Sequence, residues 1–171
     1  MSGAVEIRDA TDDDVAAITA VYNHVIDESD AIWIDDPLPE ADRRAWLARQ
    51  RAAGMPTLVA EVDGTVVGYS ACFAFRDKPG YWPTVEHTIL LGPGARGRGI
   101  GQRLLDALVD RAVALGKQVM VAGCDGGNEG AIRFHERNGF RRVAEMPAVG
   151  RKRGHPVDLV LLQRELDGPS R

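Results

Sequence analysis

A glycine-rich stretch in the second half of the chain constrains the fold more than any other feature of the sequence. Residues 95–101 read Ala-Arg-Gly-Arg-Gly-Ile-Gly and stand between an apolar, strand-like run and a long amphipathic segment. Glycine adopts positive φ at little cost and leaves the backbone open to close approach. A glycine loop that opens a helix presents free N–H groups and the positive end of the helix dipole to an anion. The stretch, with Arg96 and Arg98, therefore predicts a pyrophosphate site.

The spacing of the glycines distinguishes this loop from two other phosphate-binding motifs. A P-loop ends in Gly-Lys-Ser or Gly-Lys-Thr, and this sequence has neither ending here. A dinucleotide fingerprint needs Gly-x-Gly-x-x-Gly after the first strand of a βαβ unit. Gly97, Gly99 and Gly101 instead alternate, and they lie past the midpoint of the chain. A plain turn at a helix start is the alternative that the residues alone leave open.

Length and charge limit the class of protein. The 171 residues, 44% of them hydrophobic, suit one domain with a sizeable core. A net charge of −4 argues against nucleic acid or an anionic membrane surface as the main partner. No apolar run approaches the roughly 20 residues of a membrane helix. Cys72 and Cys124 lack metal-ligand spacing, so we expect two buried thiols, no metal site and a cytoplasmic protein.

Hydrophobic periodicity predicts an α/β chain with a meander of strands in its first half. Asp63-Gly64 is a strong signal for a two-residue hairpin turn. The helix after the glycine loop is predicted to bury Ile100, Leu104, Leu105, Leu108, Ala112 and Leu115. Strands are predicted at 4–8, 57–62, 65–69, 85–91, 118–122 and 157–162, and helices from Thr11, at 40–53, from residue 100 to about 116 and at 128–138.

The pattern Arg96-x-x-Gly99-x-Gly101 at a helix start resembles the pyrophosphate signature of the GNAT acetyltransferases. Further segments resemble the phosphinothricin acetyltransferase branch of that superfamily, in order from about residue 5 to 166: Tyr22-Asn23, Ala31-Ile32-Trp33, Phe75-Arg76, Thr84 to Thr88, Val119 to Gly123, His135 to Phe140 and Gly150 to Lys152. The resemblance implies a single GNAT domain over residues 1–171, with a mixed, mostly antiparallel sheet flanked by helices on both faces. It also implies a homodimer with the C-terminal strands near its interface.

The same resemblance implies an acetyl-CoA-dependent N-acetyltransferase that needs no metal. The expected acceptor is the primary amine of a small amino-acid-like molecule, such as phosphinothricin, methionine sulfone or methionine sulfoximine, which attacks directly in a ternary complex. Two alternatives stay open. The acceptor could be another amine, such as a protein N-terminus, a lysine or an aminoglycoside, or the chain could be an acyl-CoA-binding sensor without catalysis.

Glu86 and His135 are the candidate catalytic residues. Glu86 begins an apolar strand just upstream of the glycine loop, where burial would raise its pKa toward that of a useful base. The resemblance assigns the catalytic base to this position, and an edge carboxylate paired with Arg76 or Lys78 is the alternative. His135 falls where the branch usually has a histidine that could protonate the leaving thiolate. It shares a helix face with Ala131 and Ile132, so a core histidine is nearly as good an interpretation.

The resemblance also supplies cofactor and substrate contacts. Backbone groups of Thr88, Ile89 and Leu90 are expected to pair with the pantetheine arm like an added strand. The pyrophosphate is expected on the loop residues Arg96, Gly97, Arg98, Gly99, Ile100 and Gly101. Asn128 could reach the cofactor or cap the following helix.

On the acceptor side, Arg76 and Lys78 are candidates to bind a substrate carboxylate. Trp33 and Tyr81 are candidates to wall its side-chain pocket, although each could equally be a core residue. The chain departs from the branch at Ile34-Asp35-Asp36, at Ala131 and at Gly154-His155-Pro156. The first and last of these touch the expected acceptor pocket or dimer face, so the acceptor is expected to differ with them.

Overall fold

The computed structural model describes residues 3–166, and this part of the chain forms one seven-stranded sheet with four α-helices. The strand order is β1-β2-β3-β4-β5-β7-β6. The strands are β1 (Val5–Asp9), β2 (Thr57–Val62), β3 (Thr65–Ala74), β4 (Thr84–Leu91), β5 (Val119–Asp125), β6 (Arg141–Lys152) and β7 (His155–Glu165). The helices are α1 (Val15–Glu28), α2 (Glu40–Ala52), α3 (Ile100–Ala114) and α4 (Glu129–Arg137).

The first four strands form the predicted meander, with each neighbour antiparallel. Asp63 and Gly64 join β2 to β3 with φ values of 49° and 77°. Positive φ at both central residues matches the right-handed twist of the flanking strands, so the hairpin prediction is confirmed. A capping box between Thr11 and Asp14 begins the turn before α1.

Strands β4 and β5 are the only parallel neighbours in the described sheet, and they separate part of the way along. Their ladder runs from the Thr84–Val119 pair to the His87–Ala122 pair, while β4 continues to Leu91 and β5 to Asp125. Beyond His87, one edge of β4 is thus free of its neighbour. The mixed, mostly antiparallel architecture agrees with the predicted fold class.

Helices cover both faces of the sheet. On one face, a cluster joins buried residues of α3 to Leu58 and Ala60 of β2. On the other, residues of α1 pack against Val59 of the same strand. Since alternate residues of a strand point to opposite faces, the two clusters lie on opposite sides of the sheet. The predicted face of α3 is buried at Ile100, Leu104, Leu105, Leu108 and Ala112.

One sequence prediction about the elements was wrong, and one strand was missed. Leu115 is 47% exposed, because α3 ends at Ala114 and the chain turns away from the core at this C-cap residue. Strand β6 was not predicted, and its burial pattern explains why. Nine of its twelve residues are exposed and its ladder is interrupted twice, so the sequence lacks the alternation of a half-buried strand.

Within residues 3–166, no helix is long and apolar enough to cross a membrane. The cytoplasmic location and the extent of a single domain over residues 1–171 stay predictions.

Candidate functional site

A cavity of about 570 Å³ opens where β4 and β5 separate. Its walls come from the free end of β4, the end of β5, the start of α3 and the inner side of α4. It is lined by His87, Thr88, Ile89, Leu90, Leu91, Arg96, Gly97, Gly99, Ile100, Gly101, Gln102, Ala122, Gly123, Cys124, Asp125, Asn128, Gly130, Ala131, Phe134, His135 and Arg137, with Val25 and Ala31 at one side. Its size falls within the range of small-molecule and cofactor sites.

The glycine loop forms one end of this cavity, as an anion site requires. Gly97 and Gly99 have φ values of 76° and 74°, and no heavy atom lies within 4 Å of a Cβ built on either residue. Gly99 is the N-cap of α3 and, having no side chain, cannot cap the first N–H groups of the helix. The first N–H groups of a helix lack partners within the helix, so these donors are available to a pyrophosphate. The residues present therefore fit this part of the cofactor.

Most of the predicted cofactor contacts line the cavity. Arg98 is the exception, because it is exposed and does not belong to the lining. Its contact with the cofactor stays a prediction. The side chain of Asn128 accepts a hydrogen bond from the Ala131 N–H at 3.0 Å, so it caps α4 while also lining the cavity. Three lining residues, Gln102, Phe134 and Arg137, were not predicted from the sequence. The available signals were the position of Gln102 next to the glycine loop and the three-residue spacing of Phe134 and Arg137, which places them on one face of α4.

Glu86 lies on β4 at the last parallel pairs, next to the cavity but outside its lining. Its Oε1 is 3.2 Å from the position that a Cβ on Gly123 would occupy. The same position is 3.4 Å from a methyl group of Leu159 and 3.9 Å from one of Leu161. Burial raises the pKa of the Glu86 carboxyl, and the positive charge of Arg76 opposes this rise. A half-buried carboxylate thus stands at the edge of the gap between the strands.

His87, the next residue of β4, points to the opposite face of the sheet and forms a buried pair with His135 of α4, with ring centroids 5.1 Å apart. The Nδ1–H of His135 donates to the Ala131 carbonyl at 2.7 Å, because a carbonyl oxygen only accepts. Burial lowers the pKa of His135, and burial with the neighbouring His135 lowers that of His87 to about 3. Both rings are therefore neutral, and the Nε2 of His135 presents a lone pair rather than a proton.

The candidate acceptor contacts lie around the end of β3 and the following 3₁₀ turn (Pro79–Tyr81). The Arg76 guanidinium stacks 4.2 Å over the ring of Phe75, which packs edge-on against Tyr81 at 5.8 Å. Lys78 is exposed beside them. Trp33 is separate from this group, since its ring lies against Gly150 of β6, where a Cβ would overlap it. None of these four predicted contacts lines the cavity.

The two cysteines are buried free thiols, as predicted. Cys124 lines the cavity, and burial raises the pKa of its thiol to about 11. A thiol that stays protonated at neutral pH is a poor nucleophile. Among residues 3–166, no group of three His, Cys, Asp or Glu side chains is arranged to hold a metal ion.

Known proteins resemble this chain over nearly its whole length. The model of the acetyltransferase (GNAT) family matches residues 18–140. An L-methionine sulfoximine/L-methionine sulfone acetyltransferase from Salmonella typhimurium is 42% identical over 161 residues, 94% of each chain. An L-amino acid N-acyltransferase from Escherichia coli is 40% identical over 95% of each chain. The structure of a phosphinothricin acetyltransferase from Sinorhizobium meliloti in complex with acetyl-CoA superimposes with a TM-score of 0.92 at 35% identity, covering 98% of this chain and 91% of that one.

Proposed function

Since the chain belongs to the acetyltransferase (GNAT) family and is an acetyl-CoA-dependent N-acetyltransferase, we propose that its acceptor is a small amino-acid-like amine. The observation that carries this proposal is the half-buried carboxylate of Glu86, a base for an amine, together with the nearby charge of Arg76, a partner for the carboxylate of an amino acid. Relatives named for methionine sulfoximine, methionine sulfone and L-amino acids support the substrate class. The first test measures CoA release from acetyl-CoA with a panel of amines that includes methionine sulfone and phosphinothricin. Turnover confined to protein N-termini or lysines would contradict the proposal.

Glu86 acts as the general base in this proposal. An amino-acid amine is an ammonium ion at neutral pH, and it has no lone pair with which to attack. Glu86 takes that proton, directly or through a water molecule, and the rise in its pKa brings it closer to that of the amine. Bound acetyl-CoA supplies a thioester carbonyl carbon for the free amine. The open edge of β4 at Thr88, Ile89 and Leu90 provides backbone groups to hold the pantetheine arm and one N–H to polarise the carbonyl.

His135 is the candidate partner of the leaving thiolate, in a role that its hydrogen bond restricts. Its single ring proton is on Nδ1 and is engaged by Ala131. Donation from Nε2 needs the protonated ring, which burial disfavours. We therefore propose that His135 orders a water molecule near the sulfur through its Nε2 lone pair. This water passes a proton to the leaving thiolate and takes one from the nitrogen of the attacking amine, which must lose it as the amide forms.

Arg76 has two parts in the proposal, as a ligand for the acceptor carboxylate and as a charge beside Glu86. Removing its charge with Arg76→Gln raises the pKa of Glu86 further. Because Glu86 must be ionised to accept a proton, the acid limb of the kcat/KM profile is expected to move to higher pH. The profile is measured from about pH 5 to 9, where it reports groups of the free enzyme. Arg103→Gln, on an exposed position of α3, should leave the limb in place. An unmoved limb in Arg76→Gln contradicts this coupling.

We also propose that the protein is a homodimer through β6. This edge strand exposes three large apolar side chains, Val143, Met146 and Val149, at 45%, 41% and 48%. An exposed apolar edge strand is a template for pairing with another chain. In each copy, the proposed acceptor pocket has Lys78 and Tyr81 on one side and Trp33, against Gly150 of β6, on another.

Charge on this strand is expected to break the dimer. The variant Met146→Lys should elute as a monomer of 18.5 kDa by light scattering, whereas the wild type elutes at twice that mass. Leu115→Lys is the matched control, because Leu115 is equally exposed but lies at the end of α3. A monomeric wild type, or loss of the dimer in both variants, contradicts the assignment to β6.

A further inference from the structure

The turn between β6 and β7 holds the segment between α1 and α2, and a buried lysine is at the centre of this contact. Lys152 is only 2% exposed. Its Nζ donates to the carbonyl oxygen of Ile26 at 3.1 Å and to that of Ile34. Lysine is almost never fully buried without a paired charge, yet within residues 3–166 no carboxylate forms an ion pair with it. Backbone carbonyls alone receive this ammonium group.

Arg153, the next residue, binds the same segment. Its guanidinium donates to the carbonyls of Ile26 and Asp27, each at 2.9 Å, and its backbone N–H donates to Asp35 at 2.8 Å. The last carbonyls of a helix lack partners within it and favour nearby positive charge. The turn therefore caps the end of α1 and also reaches Ile34 and Asp35, six and seven residues beyond the last residue of that helix.

Between these two anchor points lies Trp33, whose ring rests on Gly150 of β6. Gly150 pairs with Val157 of β7. Val157, Leu159 and Leu161 share one face of β7, since they alternate along the strand. Methyl groups of Leu159 and Leu161 approach Gly123 from one side, and Glu86 approaches it from the other. One continuous surface thus runs from the Trp33 ring to the Glu86 carboxylate.

We infer that Lys152 is a positioning residue for the acceptor: it fixes the segment 29–38, and with it Trp33, over the sheet face that leads to Glu86. The inference deepens the proposed function and rests on it for the identity of the ligand. Lys152 touches neither the cofactor cavity nor Glu86. Its effect on the reaction therefore passes through the segment 29–38, chiefly through the placement of Trp33.

The full-length variant Lys152→Met tests this role, because methionine keeps most of the length and the apolar stem of the side chain but donates no hydrogen bonds. The KM for methionine sulfone is expected to rise about tenfold or more, as loss of acceptor binding predicts. The KM for acetyl-CoA should rise much less, since Ala31 is the only residue of the segment 29–38 that lines the cofactor cavity. Arg151→Met is the matched control, on the same strand and exposed. Equal rises in both KM values, or no rise in the first, overturn the inference.

Hydrogen exchange supplies a readout that does not depend on turnover. Backbone amides of residues 29–38 should exchange faster in Lys152→Met than in the wild type or Arg151→Met, while those of α3 exchange as before. Unchanged exchange in residues 29–38 overturns the inference. Failure to acetylate any of the tested amines is a separate outcome, and it contradicts the proposed function. Should Lys152→Met fail to fold, Gly150→Ala displaces the Trp33 ring and leaves the lysine in place. It should give the same rise in the acceptor KM, and an unchanged KM there overturns the inference.

Discussion

Replacing Glu86 with glutamine is expected to lower kcat by about 10²–10⁴-fold, the range associated with loss of a general base. The amide has nearly the shape of the carboxylate and still fits beside Gly123, so packing is preserved. What is lost is the ability to take the proton from the ammonium ion of the acceptor. The residual rate then depends on amine that is already neutral in solution, and it should rise tenfold per pH unit below the amine pKa. Steady-state kinetics from about pH 6 to 9 measure both effects.

The control for this variant is Asp110→Asn, which removes a carboxylate from the exposed side of α3. It should keep the wild-type kcat and pH profile. Calorimetric titration should give the same acetyl-CoA affinity for Glu86→Gln as for the wild type, because Glu86 does not line the cofactor cavity. A kcat for Glu86→Gln near the wild-type value would remove Glu86 from the mechanism.

Replacing Gly99 with valine is expected to raise the Kd for acetyl-CoA by about tenfold or more, which corresponds to roughly 1.4 kcal/mol. Gly99 has a φ of 74°, a conformation that costs an L-residue about 1–2 kcal/mol. The new side chain would also project where the backbone N–H groups face the anion, since Gly99 lines the cavity at the start of α3. Strain and obstruction therefore act together at this position.

A second glycine separates strain from obstruction. Gly94 has a φ of 70° with open space around its Cβ position, as at Gly99, but it does not line the cavity. Gly94→Val and Gly99→Val should lose similar free energies of unfolding in urea. Only Gly99→Val should weaken acetyl-CoA binding in a calorimetric titration. Equal weakening in both variants would show that backbone strain, and not access to the phosphate loop, causes the effect.

Local signals in the sequence were sufficient for the elements on which the cofactor cavity is built. The positive φ values at Asp63 and Gly64 follow from the chemistry of a two-residue hairpin, and the buried face of α3 follows from helical periodicity. The glycine loop was predictable because its function depends on backbone geometry that few other residues allow. In each case the evidence lies within a few neighbouring residues.

Features that depend on distant contacts were not predictable in this way. Strands β4 and β5 are more than 25 residues apart in the sequence, and they stop pairing after His87 and Ala122. No single residue in either strand indicates where this pairing ends. The neutral state of His135 follows from its burial against His87, which lies on a different element. The resemblance predicted Trp33 as a candidate for the acceptor pocket. Its contact with Gly150 was not predictable, because the two residues are more than 100 positions apart in the sequence. The acceptor side therefore emerges only from the folded chain.

The enclosure of Lys152 also limits how far the protein can modify itself. An acetyltransferase keeps an activated thioester close to its own amines, and this chain has three lysines, Lys78, Lys117 and Lys152. Lys152 is 2% exposed and its amine is bound to the carbonyls of Ile26 and Ile34, so an acylating agent has no access to it. Acetic anhydride should mark the exposed Lys78 at once and reach Lys152 only when the turn between β6 and β7 lifts away. The rate at which acetyl-Lys152 appears, measured by mass spectrometry, would then report how often that turn opens.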